Sequence, residues 1–188
     1  MDKKSERLFS FIGECHEAPD KRPRAHFEWA GICIHHTGLT KLKPETEEAW
    51  KKILRGTVDW LIEKDAAYVS AHFVIGRSGE IEQLVNPDYW VAYHAGLSEY
   101  WNQNLRKFMP NCNDWMIGIE LVGDGNQDKY SEAQYNSLAL LCSSLMKRYL
   151  TIQPNCITGH EAVSPGRKVD PGLFFDWRLL HKKLWTHL

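Results

Sequence analysis

The chain has 188 residues with a formal net charge of −1, and 43% of its residues are hydrophobic. This length and composition fit one globular domain with a core of ordinary size. Because the chain has neither an excess of positive charge nor a block of Lys and Arg, nucleic acid is not expected as a partner.

The N-terminal part carries charges on both sides of one short apolar run, residues 8–12. That run is too short for the core of a signal peptide or for a membrane span. Five scattered cysteines without a CxxC pair indicate reduced thiols rather than a disulfide framework. We therefore expect a cytoplasmic protein without a membrane span, in which residues 1–27 wrap around a domain formed by residues 28–188.

The first predicted elements are a strand and a helix. Residues 31–38, GICIHHTG, form a β-favouring run closed by Thr-Gly and predict a short core strand. Adjacent strand residues face opposite sides, so His35 and His36 are not expected to bind one metal together. Residues 44–56, PETEEAWKKILRG, predict a surface helix, because the acids come early and the bases late, as suits the helix dipole.

The middle and end of the chain predict further strands and helices. Residues 66–85, AAYVSAHFVIGRSGEIEQLV, predict a β-hairpin that turns at residues 77–79, and residues 113–123, NDWMIGIELVG, predict another strand. Ser131 and Gln134 form a capping-box pattern that opens a helix to about residue 149, and a last helix begins near Asp176. The order predicts an α/β fold: a single domain with a mixed central β-sheet and helices on both faces.

Residues 159–172, GHEAVSPGRKVDPG, gather polar groups where Pro and Gly interrupt regular structure, so we expect a shaped loop and not a helix. The pair His160-Glu161 does not begin an HExxH zinc helix, because the second His is absent and a proline follows. His35, His160 and Asp170 nevertheless supply two imidazoles and a carboxylate, a set that can hold a catalytic zinc ion. A strand histidine is more often a hydrogen-bonded core residue, and that alternative stays open.

Two other charged residues have open alternatives. Glu120 lies in the strand sequence IGIEL, where a carboxylate needs a partner. It could form an ion pair with a nearby Lys or Arg, or a bulge could expose it. It could instead accept a proton from a metal-bound water that attacks a carbonyl. Lys168 could stabilise the resulting oxyanion or could be a solvated loop lysine.

Five segments together resemble the zinc-dependent N-acetylmuramoyl-L-alanine amidases, the type-two amidase family, whose fold is shared by peptidoglycan recognition proteins. They are ICIHHTG, VSAHFVIGRSGEIEQLV, AYHAG, CNDWMIGIELVG and TGHEAVSPGRKVDPG, within residues 31–177. The likeness is greatest to cytoplasmic members that cleave recycled anhydro-muropeptides. The resemblance implies hydrolysis of the amide bond between the lactyl group of N-acetylmuramic acid, in its 1,6-anhydro form, and L-alanine of the stem peptide.

The resemblance also implies roles for individual residues. His35, His160 and Asp170 would bind one zinc ion per chain, with Glu120 as the catalytic acid and base and Lys168 as the group that holds the oxyanion. Substrate contacts would come from a further set of residues: His94, Asn113, Arg167 and Arg77.

The expected partner is a muropeptide, and the expected state is a monomer. Two alternatives remain at this stage. One is a non-catalytic module that binds muropeptide or peptidoglycan, and the other is an exported amidase that degrades the cell wall.

Overall fold

The fold is described from a computed structural model, which covers residues 6–24, 28–38, 46–63 and 69–188. The secondary-structure elements are, in chain order, β1 (Lys21–Pro23), β2 (Gly31–His36), α1 (Glu47–Ile62), β3 (Phe73–Ile75), β4 (Ile81–Gln83), β5 (Trp90–Ala92), β6 (Glu99–Asn102), β7 (Lys107–Pro110), β8 (Met116–Leu121), α2 (Glu132–Arg148), β9 (Ile157–Gly159), α3 (His160–Val163) and α4 (Trp177–Leu184). Short 3₁₀ turns precede β8 and β9, at Cys112–Asp114 and Pro154–Cys156.

The central sheet has the strand order β4-β3-β8-β2-β9 among the described residues. β2 pairs in parallel with both β8 and β9, β3 pairs in parallel with β8, and β4 is antiparallel to β3. The sheet is therefore mixed, and the predicted fold class is confirmed. Because parallel strands are covered on both faces, β2 and β8 have nearly continuous apolar runs instead of alternating ones.

Helices cover both faces of this sheet. α2 and α4 pack on the face that carries Ile34 and Ile119, within the largest apolar cluster of the described residues. α1 packs on the other face through Ile53, Leu54 and Val58, against a cluster that includes β3. The apolar stripe that predicted α1 as a surface helix is thus its buried side.

The strongest sequence patterns correspond to elements in the structure. Ser131 caps α2, and its side chain and that of Gln134 make both hydrogen bonds of a capping box. Asp176 caps α4. The predicted hairpin is β3–β4, with each strand three residues long.

The predicted loop at residues 159–172 needs one correction. His160–Val163 form a four-residue helix, α3, where a helix was not expected. The helix ends at Ser164, immediately before Pro165, because proline cannot continue it. The rest of the segment is turns and irregular backbone, as predicted.

The N-terminal segment is attached to the edge of the sheet. Backbone amides of residues 13, 16 and 18 donate to carbonyls of residues 81, 83 and 84, and β1 pairs with β5. Residues 1–5 and 25–27 of the predicted wrapping segment lie outside the described residues. The division at residue 27 stays a prediction. Among the described helices, none combines the length and hydropathy that a membrane span requires.

Candidate active site

The site lies where the parallel strands of the sheet end, which is where open α/β sheets place their ligands. His35 of β2 is the register partner of Glu120 on β8, so the two side chains start from neighbouring positions on one face. β9 ends at Gly159, opposite Ile34, and His160 follows directly. The register of β2, β8 and β9 therefore brings together three side chains that are far apart in sequence.

His35, His160 and Asp170 converge on one point and are all buried. The Nδ1 atoms of the two histidines lie 2.9 Å apart. Oδ2 of Asp170 lies 3.2 Å from Nδ1 of His35 and 3.0 Å from Nδ1 of His160. The three residues proposed from the sequence as metal ligands thus form one compact cluster.

This cluster fits a zinc ion by its donor atoms. Two imidazole nitrogens and a carboxylate oxygen are a common catalytic zinc set. Ligands about 2.0–2.2 Å from a tetrahedral zinc lie about 3.3–3.5 Å from one another, so the observed triangle is slightly smaller and small outward movements would admit the ion. The opposite ring nitrogens have other partners: Nε2 of His35 lies 2.9 Å from Nδ1 of His94, and Nε2 of His160 lies 3.1 Å from the Ala95 carbonyl.

Burial sets the charge state of the His35 ring in the way that a metal ligand needs. It lowers the pKa of His35 to about 4, so the ring is neutral at pH 7. A neutral imidazole beside a carboxylate is the state that binds a metal.

The loop that carries Asp170 is held at several points. The Asp170 carbonyl accepts a hydrogen bond of 2.9 Å from the backbone amide of Glu161, and the Pro171 carbonyl accepts one of 2.7 Å from the Tyr130 hydroxyl. The Ser164 carbonyl accepts from the amide of Lys168. These contacts fix the loop against α3 and the core, so Asp170 reaches the histidines from a rigid support.

Glu120 is a partly buried carboxyl at the edge of the same cluster. Its Oε2 atom is buried and has no hydrogen-bond partner among the described residues. Its pKa is raised to about 8, mainly by burial and also by the carboxylate of Asp170, while the positive charge of Lys168 acts in the opposite direction. A titratable group with a strongly shifted pKa beside a potential metal site is a candidate acid or base.

Lys168 and Arg167 lie in the wall of the same cleft. Nη2 of Arg167 donates to the carbonyls of Ala95 and Leu97, at 2.5 and 2.9 Å, and to the hydroxyl of Ser164 at 2.7 Å. Arg167 is therefore partly engaged in holding the 95–97 segment. Lys168 is the cation whose charge is felt at Glu120, His35 and His36.

The other proposed substrate contacts occupy different places. His94 lies behind His35, and Asn113 is buried with its Oδ1 accepting from the backbone amides of His94 and Ala95 at 2.9 and 2.7 Å. Arg77 donates to the Lys129 carbonyl at 2.8 Å and lies over the ring of Trp50. Asn113 and Arg77 are not among the described residues that line the cleft. Substrate contact by these three residues stays a prediction.

The cleft itself has a wall that sequence reasoning missed. It has a volume of about 1190 Å³ and runs from the cluster of His35, His160 and Asp170 along α1. Lys52, Gly56 and Trp60 line it at four-residue intervals, and 51% of Trp60 is exposed. The predicted helix, residues 44–56, included Lys52 and Gly56 but ended before Trp60, whereas α1 continues to Ile62. A row at i, i+4 and i+8 is by itself also typical of a solvated face.

The chain is similar to known proteins in both sequence and structure. The family model described as N-acetylmuramoyl-L-alanine amidase matches residues 26–173. The 1,6-anhydro-N-acetylmuramyl-L-alanine amidase AmpD of Haemophilus influenzae is 47% identical over 109 residues, which cover 58% of this chain and 55% of that protein. The chain thus spans about half the length of the curated relatives it matches.

Two solved structures are similar over a larger share of the chain. A crystal structure of a selenomethionine derivative of AmpD matches with a TM-score of 0.71 and 32% identity, covering 94% of this chain and 96% of that one. The Escherichia coli N-acetylmuramyl-L-alanine amidase AmiD, in complex with anhydro-N-acetylmuramic acid-L-Ala-D-γ-Glu-L-Lys, matches with a TM-score of 0.65 and 26% identity. That match covers 82% of this chain and 57% of the AmiD chain.

Proposed function

Since the chain belongs to the N-acetylmuramoyl-L-alanine amidase family, we propose that it hydrolyses the amide bond between the lactyl group of 1,6-anhydro-N-acetylmuramic acid and L-alanine of a stem peptide. The observation that carries this proposal is the convergence of two imidazoles and a carboxylate, 2.9–3.2 Å apart, beside Glu120 in an open cleft. The name of the AmpD relative and the ligand in the AmiD complex support the anhydro-sugar as substrate.

The proposal includes one zinc ion per chain, held by Nδ1 of His35, Nδ1 of His160 and Oδ2 of Asp170. When bound, zinc supplies a Lewis acid that lowers the pKa of water and polarises a carbonyl. A monomeric enzyme is part of the proposal.

Glu120 is proposed as the group that moves the proton. Its buried Oε2 atom is not engaged by a described residue. The carboxyl is protonated at pH 7 in the metal-free protein, and the positive charge of a bound zinc ion would lower its pKa, so that it could accept a proton from the attacking water. The same carboxyl then protonates the leaving nitrogen, and the products are a lactyl carboxylate and a peptide with a free amino terminus. Because Glu120 is the strand neighbour of His35, proton acceptor and metal ligand are held on one rigid element pair.

Lys168 is proposed to stabilise the oxyanion of the tetrahedral intermediate. Its charge acts on Glu120 and on His35, which supports this role. Arg167 is proposed to bind a carboxylate of the stem peptide through guanidinium N–H groups other than those held by Ala95 and Leu97.

A cytoplasmic role in peptidoglycan recycling is part of the proposal. All five cysteines are free thiols, which suits a reducing compartment. The competing possibility of an exported enzyme differs in substrate: it would release peptide from intact cell-wall sacculi.

The test of this function is cleavage of a purified anhydro-muropeptide in ¹⁸O water, followed by mass spectrometry. We expect ¹⁸O in the lactyl carboxylate and an unlabelled peptide that begins with L-alanine. Lys168→Met is expected to lower kcat by about 10²-fold, whereas Lys182→Met, an exposed lysine on α4, serves as the matched control. Cleavage at another bond by the zinc-loaded protein would refute the assignment. Efficient peptide release from sacculi would move the proposal to a wall-degrading enzyme.

A further inference from the structure

A chain of hydrogen bonds runs from a backbone carbonyl through the ring of His94 to the ring of His35, which belongs to the cluster with His160 and Asp170. Nε2 of His94 lies 3.0 Å from the Met116 carbonyl, and Nδ1 of His94 lies 2.9 Å from Nε2 of His35. A carbonyl can only accept, so the proton of His94 is on Nε2. Nδ1 of the neutral His94 ring is then an acceptor. Its hydrogen bond with Nε2 of His35 therefore requires a proton on that Nε2 atom. The remaining nitrogen of His35, Nδ1, is left with a lone pair that faces Asp170.

The second ligand is oriented by the next residue of the same segment. Nε2 of His160 lies 3.1 Å from the Ala95 carbonyl, which again can only accept. A longer contact, 3.5 Å from Nη2 of Arg167, would need the opposite tautomer. Because the contact to the carbonyl is shorter, we assign the proton of His160 to Nε2. The Nδ1 atoms of both histidines are therefore unprotonated, and with Asp170 they form three acceptors that only a cation can satisfy together.

The segment that sets both tautomers is itself fixed. Oδ1 of Asn113 accepts from the amides of His94 and Ala95 at 2.9 and 2.7 Å, and all three residues are buried. The ring of His94 packs against Gly118 of β8, where a Cβ atom would lie 2.4 Å from Cγ of His94. Only glycine at that position leaves room for the ring.

We propose that His94, Ala95 and Asn113 form an orienting clamp that fixes the tautomers of both metal ligands, with His94 as a positioning residue. The clamp rests on the proposed zinc site, because its purpose is to present two bare Nδ1 atoms. Outer partners of this kind orient metal-binding histidines, and their loss typically costs about 10–100-fold in metal affinity.

The experiment compares the parent protein with His94→Phe and His94→Gln. Phe fills the space of the ring but accepts no hydrogen bond, whereas Gln keeps one acceptor and one donor. Nitrogen-15 NMR of the metal-free protein reports which ring nitrogen of His35 carries the proton, and competition with a chelator of known affinity gives the zinc Kd. His181→Phe, at a half-buried histidine on α4 that contacts neither the ligands nor the clamp residues, is the control.

In the parent protein we expect the proton of His35 and of His160 on Nε2. In His94→Phe we expect His35 to lose this single tautomer and the zinc Kd to rise about 10–100-fold, with recovery in His94→Gln and little change in His181→Phe. An unchanged tautomer and an unchanged Kd in His94→Phe would overturn the clamp. A parent protein that shows the Nε2–H tautomers but binds no zinc would instead refute the proposed function and leave the clamp standing. Should His94→Phe fail to fold, Asn113→Leu tests the same clamp through the other residue.

Discussion

At the scale of single residues, Glu120 has a proposed role in proton transfer, and its ionisation lowers the free energy of unfolding. In the metal-free protein its pKa of about 8 lies well above the ordinary value of 4.5. Between these two values the folded protein holds a proton that the unfolded chain has released. Folding therefore takes up a proton, and the free energy of unfolding falls as pH rises from about 4.5 to 8.

Glu120→Gln should separate the two effects. Because Gln does not ionise, the chelated variant is expected to be more stable than the chelated parent at pH 8, by an amount that disappears as the pH falls toward 4. Denaturant unfolding across this range measures it. The same variant should bind zinc but lose at least about 10²-fold in kcat. Full activity in the variant would show that Glu120 is not the proton acceptor.

At the scale of elements, α1 combines a buried face with a wall of the cleft. Gly56 lies in the middle of this helix, where glycine costs about 0.5–1 kcal/mol relative to Ala. A Cβ atom at this position would meet nothing within 4 Å, and the position lines the cleft between Lys52 and Trp60. The glycine thus leaves the cleft wide at the expense of helix stability.

Substitutions of Gly56 by a small and by a large side chain should therefore have different effects. Gly56→Ala should raise the free energy of unfolding by about 0.5–1 kcal/mol, because it adds only a methyl group in open space. Gly56→Phe should raise KM for the muropeptide, because the ring fills the cleft. Lys51→Phe, an exposed position on the same helix that does not line the cleft, is the control. An unchanged KM in Gly56→Phe would mean that substrate does not pass along α1.

The elements also show what sequence patterns can predict. β2, α1 and α2 were found because each has a long apolar pattern or a capping signal. β5 and β9 were missed because three residues are too few to show a period, and pairing with β1 and β2 defines them as strands. α3 was missed because its single turn is stabilised by the surrounding loop and not by its own sequence pattern.

At the scale of the whole molecule, the cluster of His35, His160 and Asp170 brings together distant parts of the chain. His35 and His160 are 125 residues apart, and the register of β2 with β9 brings them together. The residue types in the sequence suggested this ligand set and possible roles for Glu120 and Lys168, and the family resemblance favoured these roles, which stay predictions. The clamp of His94, Ala95 and Asn113 could not be predicted from the sequence, because a sequence does not show which ring nitrogen contacts which partner. The resemblance itself is confirmed by the family model.

Zinc should therefore contribute to the stability of the entire fold. An ion that binds only the folded state adds about 2.7 kcal/mol when its free concentration is 100-fold above Kd. We expect chelation to lower Tm in the parent protein, as measured by calorimetry. Asp170→Ala lacks one ligand, so its Tm should not respond to zinc or chelator in the concentration range that affects the parent. An equal response of both proteins would place the ion elsewhere.

The central claim is a zinc site that cleaves a muropeptide, and the most direct test measures the metal and the reaction on one sample. Elemental analysis of the purified protein is followed by assays of peptide release from an anhydro-muropeptide before chelation, after chelation and after return of zinc. We predict one zinc per chain, loss of cleavage on chelation and recovery on reloading. A protein that is free of metal and binds the muropeptide without cleaving it, even after zinc is supplied, would contradict the account and indicate a recognition module.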